Sequence, residues 1–170
     1  METDVLSENT NKEEDTVFFQ NLKKYFSIKN KQEAEIFIKR NGGEEIIYHF
    51  CHAEGNHIIL NYIYFKYITK HNMASYDAVT NYLINIMKDV LKKHDQFVIH
   101  LNIRYLILMD IDKYFSFIKQ ISQLMKDTFP EKLKSCYIYN APFVFSKLFS
   151  IISVFIDKNT QQKIKMMETE

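Results

Sequence analysis

The run from Phe143 to Ile156 is almost wholly apolar, and Phe145, Leu148, Phe149, Ile152 and Phe155 recur within it at helical spacing. Phe143, Val144, Ile151, Val154 and Ile156 make the remaining face apolar as well. A helix apolar all round must lie inside a core or cover another apolar surface. Lys147 interrupts the run, which is also too short to span a bilayer. Asn140-Ala141-Pro142 precedes it as a stop and Asp157-Lys158-Asn159 breaks it, so the helix is expected to occupy residues 143–156. Burial on two sides is what the pattern demands. A central core helix, a dimer contact and a cover over an apolar chamber all satisfy it.

The elements around this helix set the fold class. Phe129-Pro130 ends a helix, because proline biases its predecessor away from helical angles. Ser135 to Tyr139 is a short β-rich run. Thr160 to Met166 reads as a last strand. Upstream, Glu45 to Cys51 and His57 to Lys66 are β-rich runs flanking a hairpin turn at Ala53-Glu54-Gly55-Asn56. Ser75 can cap a helix whose face is Tyr76, Val79, Leu83, Ile86 and Val90. Phe97, Ile99, Leu101 and Ile103 then alternate with Val98, His100 and Asn102, as in a strand. Asp110 or Asp112 opens a helix along Phe115, Ile118, Ile121 or Ser122, and Met125. Strands separated by single helices favour right-handed crossovers. The expectation is an α/β fold: a mixed, mostly parallel β-sheet with helices packed on it.

At 170 residues the chain can bury one core, and a net charge of +1 gives no electrostatic case for nucleic acid. Residues 1–15 hold Glu2, Asp4, Glu8, Glu13, Glu14 and Asp15 against Lys12 alone, which reads as a disordered acidic tail before a single domain over 16–170. Val17 to Ile28 makes a short amphipathic helix through Phe18, Leu22, Tyr25 and Phe26, and Lys31 to Arg40 reads first as a second helix capped at Asn41-Gly42, with a strand turning there as the alternative. Lys23, Lys24, Lys29 and Lys31 form a modest basic cluster, read first as a solvated face. The polar, acidic start has no signal-peptide character, and the two cysteines, Cys51 and Cys136, fall in predicted strands. A cytoplasmic protein with reduced thiols is expected.

Catalytic and metal motifs are weak. His49, Cys51, His52 and His57 could suggest a metal, with His49 and Cys51 on one strand face, but no further ligand at zinc spacing follows. Asp110 and Asp112 make a carboxylate pair that helix capping explains, without a partner base. Glycine-rich phosphate loops and a nucleophile elbow do not occur. Neither an enzyme, a metal site nor a cofactor is expected.

Pro130-Glu131-Lys132-Leu133, Tyr137-Ile138-Tyr139-Asn140-Ala141-Pro142, Phe145, Phe155-Ile156-Asp157, Thr160 and Lys163-Ile164 resemble, in order and without gaps, the CRAL-TRIO lipid-binding family, which includes the yeast-type phosphatidylinositol transfer proteins. The match is close over about a fifth of the chain and topological back to Glu45. Val154 and Lys158 depart from it, standing where relatives usually carry prolines, and the helical N-terminal part is shorter than in relatives.

The resemblance implies that the 143–156 helix is a movable gate over a lipid chamber, lined or closed by Phe143, Phe145, Leu148, Phe149, Ile152 and Phe155. It also implies that Glu131, Thr160 and Lys163 hold an inositol phosphate headgroup. The residue types suit that task, since an ammonium pairs with phosphate while carboxylate and hydroxyl bond ring hydroxyls. The function implied is binding, and by extension transfer, of a phospholipid such as phosphatidylinositol, or of another hydrophobic small molecule. Transient contact with a membrane surface follows, as a peripheral rather than integral protein. The alternative is a divergent CRAL-TRIO-like module without ligand, binding a protein partner or a second copy of itself, with small GTPase regulation as the precedent.

Overall fold

The computed structural model describes residues 17–22, 26, 36, 39, 40 and 43–167. The chain forms two compact units, Met1–Asn41 and Gly42–Glu170. In the first, 17–22 is helical, Phe18 and Phe19 meet edge to face, and the Phe26 amide donates to the Leu22 carbonyl at 3.0 Å. Ile36, Lys39 and Arg40 are helical too. The acidic tail and the Lys23, Lys24, Lys29 and Lys31 cluster lie outside the described residues.

The second unit is built on a five-stranded sheet: β1 (Cys51–Glu54), β2 (His57–Asn61), β3 (Phe97–Asn102), β4 (Leu133–Tyr139) and β5 (Ile164–Met166), ordered as numbered. β1 and β2 are antiparallel, joined through Gly55, whose φ of +60° suits the tight turn. The other neighbours are parallel. Because strand order follows chain order in one direction, right-handed crossovers bring the connecting helices to one face. These are α2 (Tyr62–Lys70), α3 (Tyr76–Leu91), α4 (Leu108–Lys113), α5 (Phe115–Thr128), α6 (Phe145–Ile152) and α7 (Lys158–Gln162), preceded by α1 (Gly43–Phe50) before the sheet. The mixed, mostly parallel α/β sheet is as the element order led one to expect.

Three segments differ from expectation. Glu45 to Phe50 is helix, not strand, because Ile46 and Phe50 are one turn apart and both buried, with Phe50 packed on the rings of Phe65 and Tyr82. The strand starts only at Cys51. The second hairpin strand stops at Asn61, and Tyr62 to Lys70 turns helical to bury Ile63, Tyr64, Phe65 and Ile68 together. The expected last strand begins late: the Asp157 carboxylate accepts from the Thr160 amide at 2.7 Å and opens α7, leaving β5 with Ile164–Met166. Ser75 does cap α3, accepting from the Ala78 amide at 3.1 Å. Asp110 sits inside the first turn of α4, where it accepts from the Ile107 amide at 3.2 Å and from Lys66 at 3.0 Å.

The alternation in β3 sorts the two faces. Leu60, Leu101 and Ile138 are aligned across three strands, and so are Ile58, Ile99, Cys136 and Ile164. This face meets α3, α5 and α6. The opposite face carries Ile59, His100, Tyr137 and Lys165 in one row. There His57 and His100 share a 2.9 Å hydrogen bond, and His100 reaches the Tyr139 hydroxyl at 2.8 Å. Burial, then the neighbouring His57, lowers the His100 pKa to about 3, so the ring is neutral in this network.

Candidate functional site: two adjoining cavities beneath helix α6

Helix α6 ends earlier than its apolar run. The Ser150 and Ser153 hydroxyls turn back onto the Ser146 and Ser150 carbonyls at 3.0 and 2.8 Å. The Gln161 amide then donates to the carbonyls of Ser153 and Ile156 at 3.0 and 3.1 Å. Carbonyls released at the helix end thus find a side-chain donor, and residues 153–156 run as turns. Phe145 and Leu148 point inward and join Ile103, Leu106, Ile111 and Ile138 in one buried cluster.

Between this cluster and the sheet lies a cavity of about 240 Å³, walled by Leu60 and Leu101 from the sheet, Leu83 from α3, Phe117, Ile118 and Ile121 from α5, and Leu148 and Ile152 from α6. Its few polar neighbours are mostly occupied: Asp110 by Lys66, Tyr114 by Thr69 at 2.8 Å, and Ser122 by the Ile118 carbonyl at 2.8 Å. Burial, followed by the adjoining Asp110 carboxylate, pushes the Tyr62 phenol far up, which keeps it protonated.

A second cavity of about 400 Å³ adjoins the first, since Ile121, Ser122 and Ile152 line both. Ile99, Cys136 and Ile164 line it from the sheet, with Met125 from α5 and Phe129 just past its end. Glu131, Thr160 and Lys163 all line this second cavity, so the three residues nominated for a headgroup lie around one space. Each is fixed by backbone. Glu131 occupies a left-handed turn at φ +61°, where its carbonyl accepts from Gln96 at 3.1 Å. Thr160 sits in the first turn of α7. Lys163 caps the C-terminus of α7, and its carbonyl accepts from the Cys136 amide at 2.9 Å, tying it to the sheet.

Sequence reasoning missed Lys126, Asp157 and Asn159, which line the same cavity. The sequence marks only their places, Lys126 in the last turn of the helix that Phe129-Pro130 ends and Asp157 and Asn159 in the break after the apolar run, and nothing in it brings the two together. Backbone and side-chain hydrogen bonds from Thr160, then Lys163 and Lys126, hold the Asp157 carboxyl below its usual range. Two ammonium groups, two carboxylates, a hydroxyl and an amide around one opening can bind a phosphate and the hydroxyls beside it.

Among the residues nominated for the chamber, Leu148 and Ile152 line the cavities directly, while Phe145 backs them from the buried cluster and Phe149 packs on that cluster. Phe155 rests against Phe115, with ring centroids 6.3 Å apart. Phe143 lies before the helix and is 98% exposed. The metal reading loses its geometry, because His49 is on α1 and Cys51 on β1 rather than on one strand face. Among the described residues no three metal-ligating side chains cluster, and no helix is long and apolar enough to cross a membrane.

The CRAL/TRIO domain family matches residues 45–170. The Sec14 cytosolic factor of Schizosaccharomyces pombe is 35% identical over 60 residues, 35% of this chain and 21% of that protein. The SEC14 cytosolic factor of Yarrowia lipolytica is 22% identical over 141 residues, 82% of this chain and 27% of that protein. The chain therefore spans about a quarter or less of the length of these relatives. The fold is similar to the crystal structure of Sfh5, with a TM-score of 0.56 at 18% identity, covering 65% of this chain and 41% of that one.

Proposed function

This chain belongs to the CRAL-TRIO family of lipid-binding proteins, and from that premise we propose that it binds a phospholipid beneath α6 and transfers it between membranes. The tail would occupy the apolar cavity beside Leu148 and Ile152, and the headgroup the charged part of the second one, beside Lys163, Thr160 and Glu131. The observation that carries this reading is the adjacency of the two spaces: an almost wholly apolar one, and one whose mostly apolar lining also holds Lys126, Glu131, Asp157 and Lys163, share Ile121, Ser122 and Ile152. An amphiphile has that same division. Inositol lipid is the headgroup favoured, because the second cavity offers cations for the phosphodiester together with carboxylate, hydroxyl and amide groups for ring hydroxyls. Such a protein works in the cytoplasm and meets membrane surfaces transiently, without catalysing a reaction on its ligand.

Transfer of labelled lipid between vesicles tests the proposal. Lys163→Ala should slow transfer of phosphatidylinositol and phosphatidylcholine alike, since both carry the phosphate it pairs with. Glu131→Ala should slow phosphatidylinositol more than phosphatidylcholine, since it removes an acceptor for the ring hydroxyls while leaving the apolar cavity intact. Equal losses for both lipids in Glu131→Ala would remove the inositol assignment. Wild-type protein that neither extracts nor moves any phospholipid would favour the ligand-free protein-interaction module.

A further inference from the structure

The space beneath α6 limits the tail, and a single hydroxyl sits where tail and headgroup would join. At about 30 Å³ for a water-sized group, the apolar cavity of about 240 Å³ admits about eight methylenes. The second cavity, of about 400 Å³, admits about thirteen such groups and must also receive the phosphate and its alcohol. Two membrane-length acyl chains carry about thirty methylenes, because each fills half of a hydrocarbon core about 30 Å thick. One such chain already exceeds the apolar cavity, so a second has no place beside it. A diacyl lipid held there would leave one tail outside, where it adds nothing to affinity.

The junction makes a second, independent selection. Ile121, Ser122 and Ile152 line both cavities, so Ser122 is the polar side chain at the position a lipid's glycerol would take. It is buried on α5, and its hydroxyl donates to the Ile118 carbonyl one turn back at 2.8 Å. That bond spends the hydroxyl's only hydrogen and leaves its lone pairs, to which no group among the described residues donates. Ser122 can therefore take a donor at the junction and has nothing to give an acceptor. The glycerol of a diacyl phospholipid supplies no donor, since its ester and phosphodiester oxygens only accept. A glycerol lacking one acyl chain carries a free hydroxyl, which donates. Volume and hydrogen bonding select the same molecule.

We infer that the ligand beneath α6 is a glycerophospholipid with one acyl chain, a lysophospholipid, whose free glycerol hydroxyl donates to Ser122 where the two cavities meet. This deepens the lipid-binding reading and rests on it, making Ser122 the residue that tells one chain from two. Diacyl lipid still binds through its headgroup and one tail, but more weakly.

Calorimetric titration below the micelle concentration tests both selections with three octanoyl lipids that share the inositol headgroup. The probes are mono-octanoyl lysophosphatidylinositol, the same lipid with its glycerol hydroxyl capped as a methyl ether, and dioctanoyl phosphatidylinositol. The free-hydroxyl lipid should bind about tenfold more tightly than the methyl ether, as one buried hydrogen bond allows. The dioctanoyl lipid should bind no more tightly than the methyl ether, because its extra chain finds no space. Ser122→Ala should bring the free-hydroxyl lipid down to the methyl ether and leave the methyl ether itself unchanged. Alanine suits a helix and removes the hydroxyl alone, and thermal unfolding verifies that this variant is folded. Free and capped lipids that bind wild type alike overturn the role of Ser122 without recourse to any variant, as does Ser122→Ala that keeps the preference. Dioctanoyl lipid binding most tightly of the three overturns the single chain and leaves the lipid chamber standing. If none of the three binds, the chamber falls and this inference with it.

Discussion

Replacing Leu148 by Phe should close the apolar cavity to a lipid tail without unfolding the protein. Leu148 is buried on α6 and borders the cavity of about 240 Å³. At about 30 Å³ for a water-sized group, that space admits about eight methylenes. Phenylalanine has three more side-chain carbons than leucine, so a ring turned into the cavity displaces about three methylenes of ligand. At about 0.8 kcal/mol each, the loss is about 2.4 kcal/mol, or about fiftyfold in affinity. Overpacking a full core costs about 1–3 kcal/mol, but here empty space receives the ring, and thermal unfolding of lipid-free protein should shift by only a few degrees. Phe145→Leu is the control, since Phe145 is buried on the same helix and lines neither cavity. It should lower stability by about 1 kcal/mol and leave affinity unchanged. Titration with a phospholipid carrying a fluorescent tail reads the affinities. Leu148→Phe that stays folded and binds as tightly as wild type would refute the placement of the tail.

Phe97 has no exposed surface and meets Phe129 edge to face at 6.0 Å, so Phe97→Ala should cost about 3–5 kcal/mol in urea unfolding. The buried His100, held to a pKa of about 3 against an ordinary 6.5, makes stability depend on acid. Between these values the unfolded chain binds more protons than the native one, so its contribution is full above pH 6.5 and is lost as pH falls toward 3. The slope from this group is at most about 1.4 kcal/mol per pH unit. His100→Gln should flatten the measured slope over that window, and an unchanged slope would mean that the native ring accepts a proton. The Cys136 thiol, pushed up to about 12 by burial, should react with iodoacetamide far more slowly in native protein than in urea.

The parts of the fold legible in the sequence are those where one physical signal dominates. Strict alternation gave β3, and Asn140-Ala141-Pro142 closed β4 at Tyr139. Ser75 marked its helix because a capping hydroxyl stands directly before the helical apolar period that opens at Tyr76. The misread segments carry two signals at once. Glu45 to Phe50 is rich in β-branched and aromatic residues, yet Ile46 and Phe50 are spaced one helical turn apart, and tertiary packing on Phe65 and Tyr82 decides between them. Tyr62 to Lys66 continues the residue types of β2, and the one local mark of the strand's end is Asn61, a residue depleted in strands that stands at the N-cap of α2. The apolar run overstated α6 because hydropathy is silent on where Gln161, five to eight residues away, takes up carbonyls. For the candidate site, family resemblance nominated Glu131, Thr160 and Lys163, and none of them stands out by composition or period. Lys126, Asp157 and Asn159 join them only through the approach of α5 to α7, which no one-dimensional pattern encodes.

Native mass spectrometry of the protein after incubation with vesicles of phosphatidylcholine and phosphatidylinositol bears most directly on the chamber beneath α6. A complex carrying one phospholipid, enriched in the inositol lipid over its share of the vesicles and diminished in Leu148→Phe, is the result expected. Bare protein under the same conditions, with wild type and Leu148→Phe indistinguishable, would contradict it.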